Sequence, residues 1–184
     1  MPRDYSQMPL SHVRRSDRAV DDDTWIKAFL HRSAVGTLAT SFEDQPFINS
    51  NLYVYDEDRG CIYMHTAHLG RTRSNIEHNP RVCFNIMTMG RLLPADEALE
   101  FSVEYEGVTV FGQASVVSEN DEAKNALQLL LDKYAPHLKP GEDYRPPVDE
   151  EMPRTGVYRI DIDEWSGKRK AVDDDFPGAF WYEA

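Results

Sequence analysis

The stretch IYMHTAHLGRTRSNIEHNPRVCFNI, residues 62–86, decides how this chain is read. It opens on a β-rich run, passes through a Leu-Gly step into a short polar segment, and leaves at Asn79-Pro80 for a second β-rich run. The residue before a proline is pushed out of the helical region, which holds GRTRSNIEHNP to one or two helical turns between two strands. From His65 to Arg81 the only acidic residue is Glu77, against Arg71, Arg73 and Arg81, a formal +2 before any histidine is charged. The whole chain of 184 residues carries -12. A local positive field on a molecule that elsewhere repels anions suits a small anion.

Working outward, AVGTLATS and PFINSNLYVYD lie either side of FEDQ, and GCIYMHTA follows the turn DEDRG. These three β-rich runs on short connections predict an antiparallel meander. Downstream, VEYEGVTVFGQASVVS is the longest strand candidate, and Gly112 in its middle predicts a bend or a close backbone approach. The last strand is GVYRIDIDEWSGKR. Strict alternation along it sets Val157, Arg159, Asp161, Asp163 and Trp165 opposite Tyr158, Ile160 and Ile162, so Trp165 is expected to point away from the protomer's own core.

Two further segments carry helical spacing. Aspartates precede Trp25, Ile26, Phe29 and Leu30, a helix start with apolar positions three and four apart. NDEAKNALQLLLDKYAP repeats Ala123, Ala126, Leu127, Leu130, Leu131 and Tyr134 at the same spacing, with Asn120 or Asp121 as cap and Pro136 as stop. Six strands with two or three helices predict a mainly β fold, a six-stranded antiparallel split β-barrel with peripheral α-helices. No βαβ alternation and no Gly-x-Gly-x-x-Gly points to a dinucleotide-binding sheet. The expected organisation is an extended N-terminal arm at 1–20, one domain at 21–170 and a tail at 171–184.

Composition excludes several functions. No apolar run reaches the roughly 18 residues a membrane helix needs, and the N-terminal segment lacks the apolar core of a secretory signal, so a cytoplasmic location is expected. The acidic balance argues against a nucleic-acid surface, which needs a broad basic face. Cys61 and Cys83 sit in apolar strand-like runs and read as buried free thiols.

The chemistry of the opening stretch is that of a phosphate cradle. If His65 and Thr66 end a strand and Gly70 turns the chain into a helix near Thr72, free amides at the helix start converge with the forks of Arg71 and Arg73 and the threonine hydroxyls. The same arginines are equally compatible with a solvated connecting helix. His65 and His68 stand three apart, but no cysteine or carboxylate lies at ligand spacing, and no metal site is predicted.

The string 62–86, preceded by AVGTLAT and PFINSNLYVYD and followed by VTVFGQASVV and DEWSGKR, resembles the pyridoxamine 5'-phosphate oxidase-like family of FMN-binding split barrels, nearest its nitroimidazole-resistance-related branch. The likeness runs from about Ala34 to Arg169 and rests on order, spacing and residue type together. It implies a homodimer with FMN at the subunit interface. It implies that His65, Thr66, Arg71, Thr72 and Arg73 hold the flavin phosphate, that Asn49, Ser50, Asn51 and Leu52 lie along the flavin ring, and that Trp165, Lys168 and Arg169 reach the partner's flavin. The function implied is an FMN-dependent oxidoreductase passing electrons from a nicotinamide donor to a small nitro compound or quinone, with His65 as the one side chain placed for proton donation. The alternatives are a non-catalytic FMN carrier or redox sensor, a deazaflavin-dependent reductase of the same fold, and a haem protein. After Lys170 the chain runs AVDDDFPGAFWYEA, whose three aspartates repel a second phosphate, so vitamin B6 oxidation is not expected.

Overall fold

In the computed structural model, which describes residues 4–183, the β-rich runs join into a single antiparallel sheet. Its strands are β1 (Ala19–Val20), β2 (Gly36–Phe42), β3 (Gln45–Asn51), β4 (Tyr53–Asp56), β5 (Cys61–Ala67), β6 (Arg81–Leu93), β7 (Ser102–Val116) and β8 (Thr155–Lys170). The order is β3-β2-β6-β7-β8-β5-β4, with β1 added on β8. The six expected strands are all present. The count rises to eight because Ala19 and Val20 pair with Lys168 and Gly167, and because PFINSNLYVYD is broken at Leu52.

That break closes the fold. β3 and β4 stand at opposite ends of the sheet order yet are separated in sequence by Leu52 alone, so the sheet must curl until its two edges meet. The crossing is pinned by Tyr134, whose hydroxyl accepts from the Tyr53 amide at 3.1 Å and lies 2.9 Å from the Tyr53 carbonyl and 2.6 Å from that of Ala34. At the other end of β3, Glu43 and Asp44 both take positive φ, 49° and 61°. This is the two-residue hairpin turn whose twist matches that of the flanking strands.

β7 and β8 approach so closely at Gly112 that a Cβ there would sit 2.0 Å from the Asp161 carbonyl oxygen. The ladder shifts at this point: Phe111 faces Glu164 while Gly112 faces Ile162, leaving Asp163 as the extra residue of a β-bulge. Strict alternation therefore fails beyond Asp163. Trp165 pairs with the fully buried Val110 and packs, half-buried, against the barrel core rather than pointing away from it.

Three helices surround the sheet: α1 (Asp23–Arg32), α2 (Arg71–His78) and α3 (Asn120–Tyr134). The Asp22 side chain caps α1 by accepting from the Thr24 amide at 2.9 Å. Against expectation α3 has Glu119 at its cap position, with no side-chain hydrogen bond there, because the helix already begins at Asn120. Leu38, Ile62, Phe84, Val110 and Ile160 fill the barrel with Ile26, Phe29 and Leu30 of α1 and Ile76 of α2. A second cluster lies outside, where Ala123, Ala126 and Leu130 of α3 cover Val54, Cys61, Tyr63 and Val157.

The N-terminal arm is described from Asp4, with residues 1–3 of the expected arm outside the described residues; it forms two short 3-10 turns, Tyr5–Gln7 and Ser16–Arg18, and then β1. The tail, whose residue 184 is likewise outside the described residues, doubles back. Leu92 and Phe180 exchange backbone hydrogen bonds at 2.7 and 3.1 Å, and Arg91 donates to the carboxylate of Glu104 and to the carbonyls of Val172, Asp173 and Asp174.

Lys133, near the end of α3, is packed between helices with Nζ 3.8 Å from the Tyr53 ring centre and 3.4 Å from the Leu30 carbonyl. Burial pushes its ammonium down to about 8. The folded state therefore sheds a proton that the unfolded state keeps until its ordinary value near 10.5, and stability rises with pH across that window. Urea denaturation between pH 7.5 and 9.5 is expected to show this rise in the parent and not in Lys133→Met. A rise of equal slope in the variant would assign it to another group.

Candidate cofactor site

The segment after β5 builds the site from backbone first. Gly70 sits at φ 150°, a conformation that side chains disfavour, and turns the chain directly into α2. The first helical bond runs from the Ser74 amide to the Gly70 carbonyl at 3.1 Å. The amides of Arg71, Thr72 and Arg73 precede it and find no acceptor among the described residues, and no side chain caps the helix. Three free N–H groups and the positive end of a helix thus face the same space.

Side chains divide around this start. Thr72 is buried, and its hydroxyl oxygen accepts from Asn49 Nδ2 at 3.3 Å, tying α2 to β3. Asn75 and Ile76 anchor the helix, Asn75 by donating to Thr40 Oγ1 at 2.9 Å inside the core. Arg71 is exposed and makes no hydrogen bond or ion pair among the described residues. Arg73 is engaged: its Nε donates to Glu77 at 2.7 Å, and Nη1 lies 3.2 Å from His68 Nδ1 and 3.3 Å from the His68 carbonyl. The two arginines expected to act as equals therefore differ, one free and one partnered.

β3 supplies the adjoining wall. It pairs with β2 alone, so its other edge has no strand partner. Ser50 Oγ lies 2.9 Å from Thr37 Oγ1, and Asn51 Nδ2 donates to the Asn49 carbonyl at 3.2 Å. Leu52, at the break, is half exposed.

His65 and Thr66 end β5 on opposite faces. Thr66 turns inward, 3.5 Å from the Tyr158 hydroxyl, while His65 pairs with Val157 on the side covered by α3 and lines a groove there with Leu52. His65 is thus not on the inward face that Thr66 occupies.

The C-terminal group lies elsewhere in the protomer. Gly156 pairs with Thr66, and Lys168 follows it by 12 positions on β8. At about 3.3 Å per residue this is on the order of 40 Å along the strand. Trp165 Nε1 donates to Asp23 Oδ1 at 2.9 Å, Lys168 lies 5.9 Å from the Tyr105 ring centre, and Arg169 pairs with Glu106 at 3.2 Å. One protomer does not bring Trp165, Lys168 and Arg169 to the α2 cluster.

A curled antiparallel sheet whose two end strands adjoin without pairing, with an anion-ready helix start after its fifth strand, is the sheet of a split barrel. The particular family follows from comparison: residues 22–169 match the pyridoxamine 5'-phosphate oxidase family, and the chain belongs to it. No curated protein matches. Among solved structures the chain is similar to the flavocytochrome Anf3 from Azotobacter vinelandii, at 24% identity and TM-score 0.77, covering 95% of this chain and 85% of that one. It is similar to a FAD and heme binding protein from Mycobacterium smegmatis, at 17% identity and TM-score 0.72, covering 89% and 81%. A putative 5-nitroimidazole antibiotic resistance protein from Bacteroides thetaiotaomicron matches at 16% identity and TM-score 0.68, covering 82% and 86%. At these identities the three establish the fold. No helix among the described residues is long and apolar enough to cross a membrane.

Proposed function

We propose that this protein is a flavin-dependent oxidoreductase that holds FMN by its phosphate at the start of α2. The observation that carries the reading is the uncapped helix start beside the unpartnered Arg71, with Asn49 of the edge strand β3 bonded to Thr72 in its first turn. A phosphate fits a cradle of free amides, a guanidinium and a threonine hydroxyl. A tricyclic ring with polar edges fits along Asn49, Ser50, Asn51 and Leu52, where the edge has no strand partner.

When bound, a flavin would supply electron-transfer chemistry between a nicotinamide donor and a small nitro or quinone-type acceptor. The chain's part is to fix the phosphate through Arg71 and the α2 amides, to hold the ring edge on β3, and to offer the exposed His65 as a proton donor on the α3 side of β5. Arg73 acts by holding the loop through His68 and Glu77 rather than as a free charge.

The reading includes a homodimer with the flavin between subunits, in which Lys168 and Arg169, remote from the α2 cluster of their own protomer, would reach the flavin of a second copy, while Trp165 serves its own core. Exposed Ile48, Met87, Met89, Trp181 and Tyr182 supply apolar surface for such an interface. The test is spectroscopic and chromatographic. The purified protein is expected to show oxidised-flavin bands that bleach with NADH or NADPH and return with a nitro or quinone acceptor, and to release FMN on denaturation. Released FAD would correct the cofactor, a single deazaflavin band would move the protein to that branch, and bound flavin without turnover would make it a carrier. A protein that takes up no flavin overturns the proposal.

A further inference from the structure

A groove of about 560 Å³ opens between α3, the 3-10 turn Asp149–Arg154 and the ends of β3 and β5. That volume suits a small organic ligand. Its walls are largely hydrocarbon, from Leu52, Leu127, Leu130, Leu131 and Met152. Four ionisable side chains reach it, and they are not equivalent: the Tyr134 hydroxyl is already engaged with the Tyr53 and Ala34 backbone. Glu151 is already balanced, accepting from Arg145 Nη2 at 2.6 Å and from the Val148 amide at 3.2 Å. His65 and Arg154 are exposed and make no hydrogen bond or ion pair among the described residues.

The groove thus pairs an apolar floor with an imidazole and with two guanidiniums, Arg145 and Arg154, that share the one carboxylate of Glu151 and leave a surplus positive charge, on a protein of net charge -12. Such a surface repels anions in general and admits one only where a local cation and an apolar contact act together. A neutral ligand leaves that surplus charge without a partner. A dianion brings one charge more than the surplus guanidinium balances and meets Glu151 in the same wall. One negative charge on an apolar body satisfies all the groups present.

We infer that this groove binds a small aromatic or aliphatic monocarboxylate, its carboxylate on Arg154 beside His65 and its body against Leu52, Leu127 and Leu131. Only the ligand's place next to the cofactor, through the shared Leu52 and His65, rests on the flavin reading; binding itself does not. Arg154 is a positioning residue for the carboxylate, and Arg154→Gln removes the charge from an exposed side chain without opening the core.

The experiment titrates 2-naphthoate and its neutral counterpart 2-naphthylmethanol into the whole protein, as purified and after FMN saturation, by calorimetry or ligand fluorescence. The parent is expected to bind the carboxylate at least tenfold more tightly than the alcohol, with the preference lost in Arg154→Gln while alcohol binding is kept. Leu131→Gln, on the apolar wall, is expected to weaken both probes. Equal binding of the two probes by the parent, a preference that survives Arg154→Gln, or no binding of either overturns the inference. Displacement of naphthoate by FMN overturns it too, for the groove is then part of the flavin's own seat. A protein that takes up no flavin yet shows the naphthoate preference and its loss in Arg154→Gln upholds this inference while the flavin reading falls.

Discussion

Arg71→Ala is expected to weaken FMN binding by about tenfold to a hundredfold while leaving riboflavin binding unchanged, because a charge-assisted hydrogen bond contributes roughly 1.5 to 3 kcal/mol and riboflavin has no phosphate to lose it. The side chain is exposed and unpaired among the described residues, so its removal is expected to leave the melting temperature of the flavin-free protein in place. Arg73→Ala is expected to cost less phosphate affinity, since its donors already reach Glu77 and His68. It should instead loosen the loop and weaken FMN and riboflavin alike. Fluorescence titration of the two flavins against the parent and both variants measures these differences. A larger phosphate-specific loss at Arg73 than at Arg71, or equal loss of both flavins at Arg71, would place the phosphate away from the start of α2.

Trp165→Ala is expected to destabilise the flavin-free protein by about 3 kcal/mol, the lower end of what truncating a buried tryptophan costs, because the side chain is half-buried. For a chain of this length that corresponds to a fall of roughly 6 to 12 °C in melting temperature. The indole packs on the barrel core, meets Tyr55 edge-on at 6.5 Å between ring centres, and donates to Asp23 near the start of α1. A tryptophan that served only a second subunit's flavin would leave the flavin-free melt unchanged and alter only the stabilisation that added FMN provides. Paired melts with and without FMN separate the two, and an unchanged flavin-free melt refutes the core role.

This contrast shows where the sequence was and was not legible. The strands and helices announced themselves because period-two and three-four spacing follow from which face each element buries, and Gly112 marked the close approach of β7 and β8. The extra residue at Asp163 was invisible. A bulge leaves no composition signal in DIDEW, and one unpaired residue is enough to turn Trp165 from the outer face to the core. The break at Leu52 was hidden for a related reason: NSNLYVYD keeps a continuous β composition, and only the meeting of the sheet's two edges shows that the chain changes strand there. At the cofactor site, Gly70 and the arginines stood out as residue types, whereas the division of labour between Arg71 and Arg73 depends on the position of Glu77 one helical turn away. Arg154 escaped notice altogether, sitting in a proline-rich acidic stretch whose fold back onto α3 no periodicity foretells.

The sheet order also governs when the barrel can be completed during synthesis. β5 lies between β4 and β8, and its Cys61 pairs with Asp161, a residue made 100 positions later. Until β8 has left the ribosome, β5 lacks one of its two strand neighbours, and the core that Ile62 and Met64 join lacks Tyr158 and Ile160, although α1 and α3 are already made. At about 5 to 20 residues per second, that wait lasts roughly 5 to 20 seconds. The nascent chain must carry the open edge of β5 through about half of its own translation, and the final strand is what closes it.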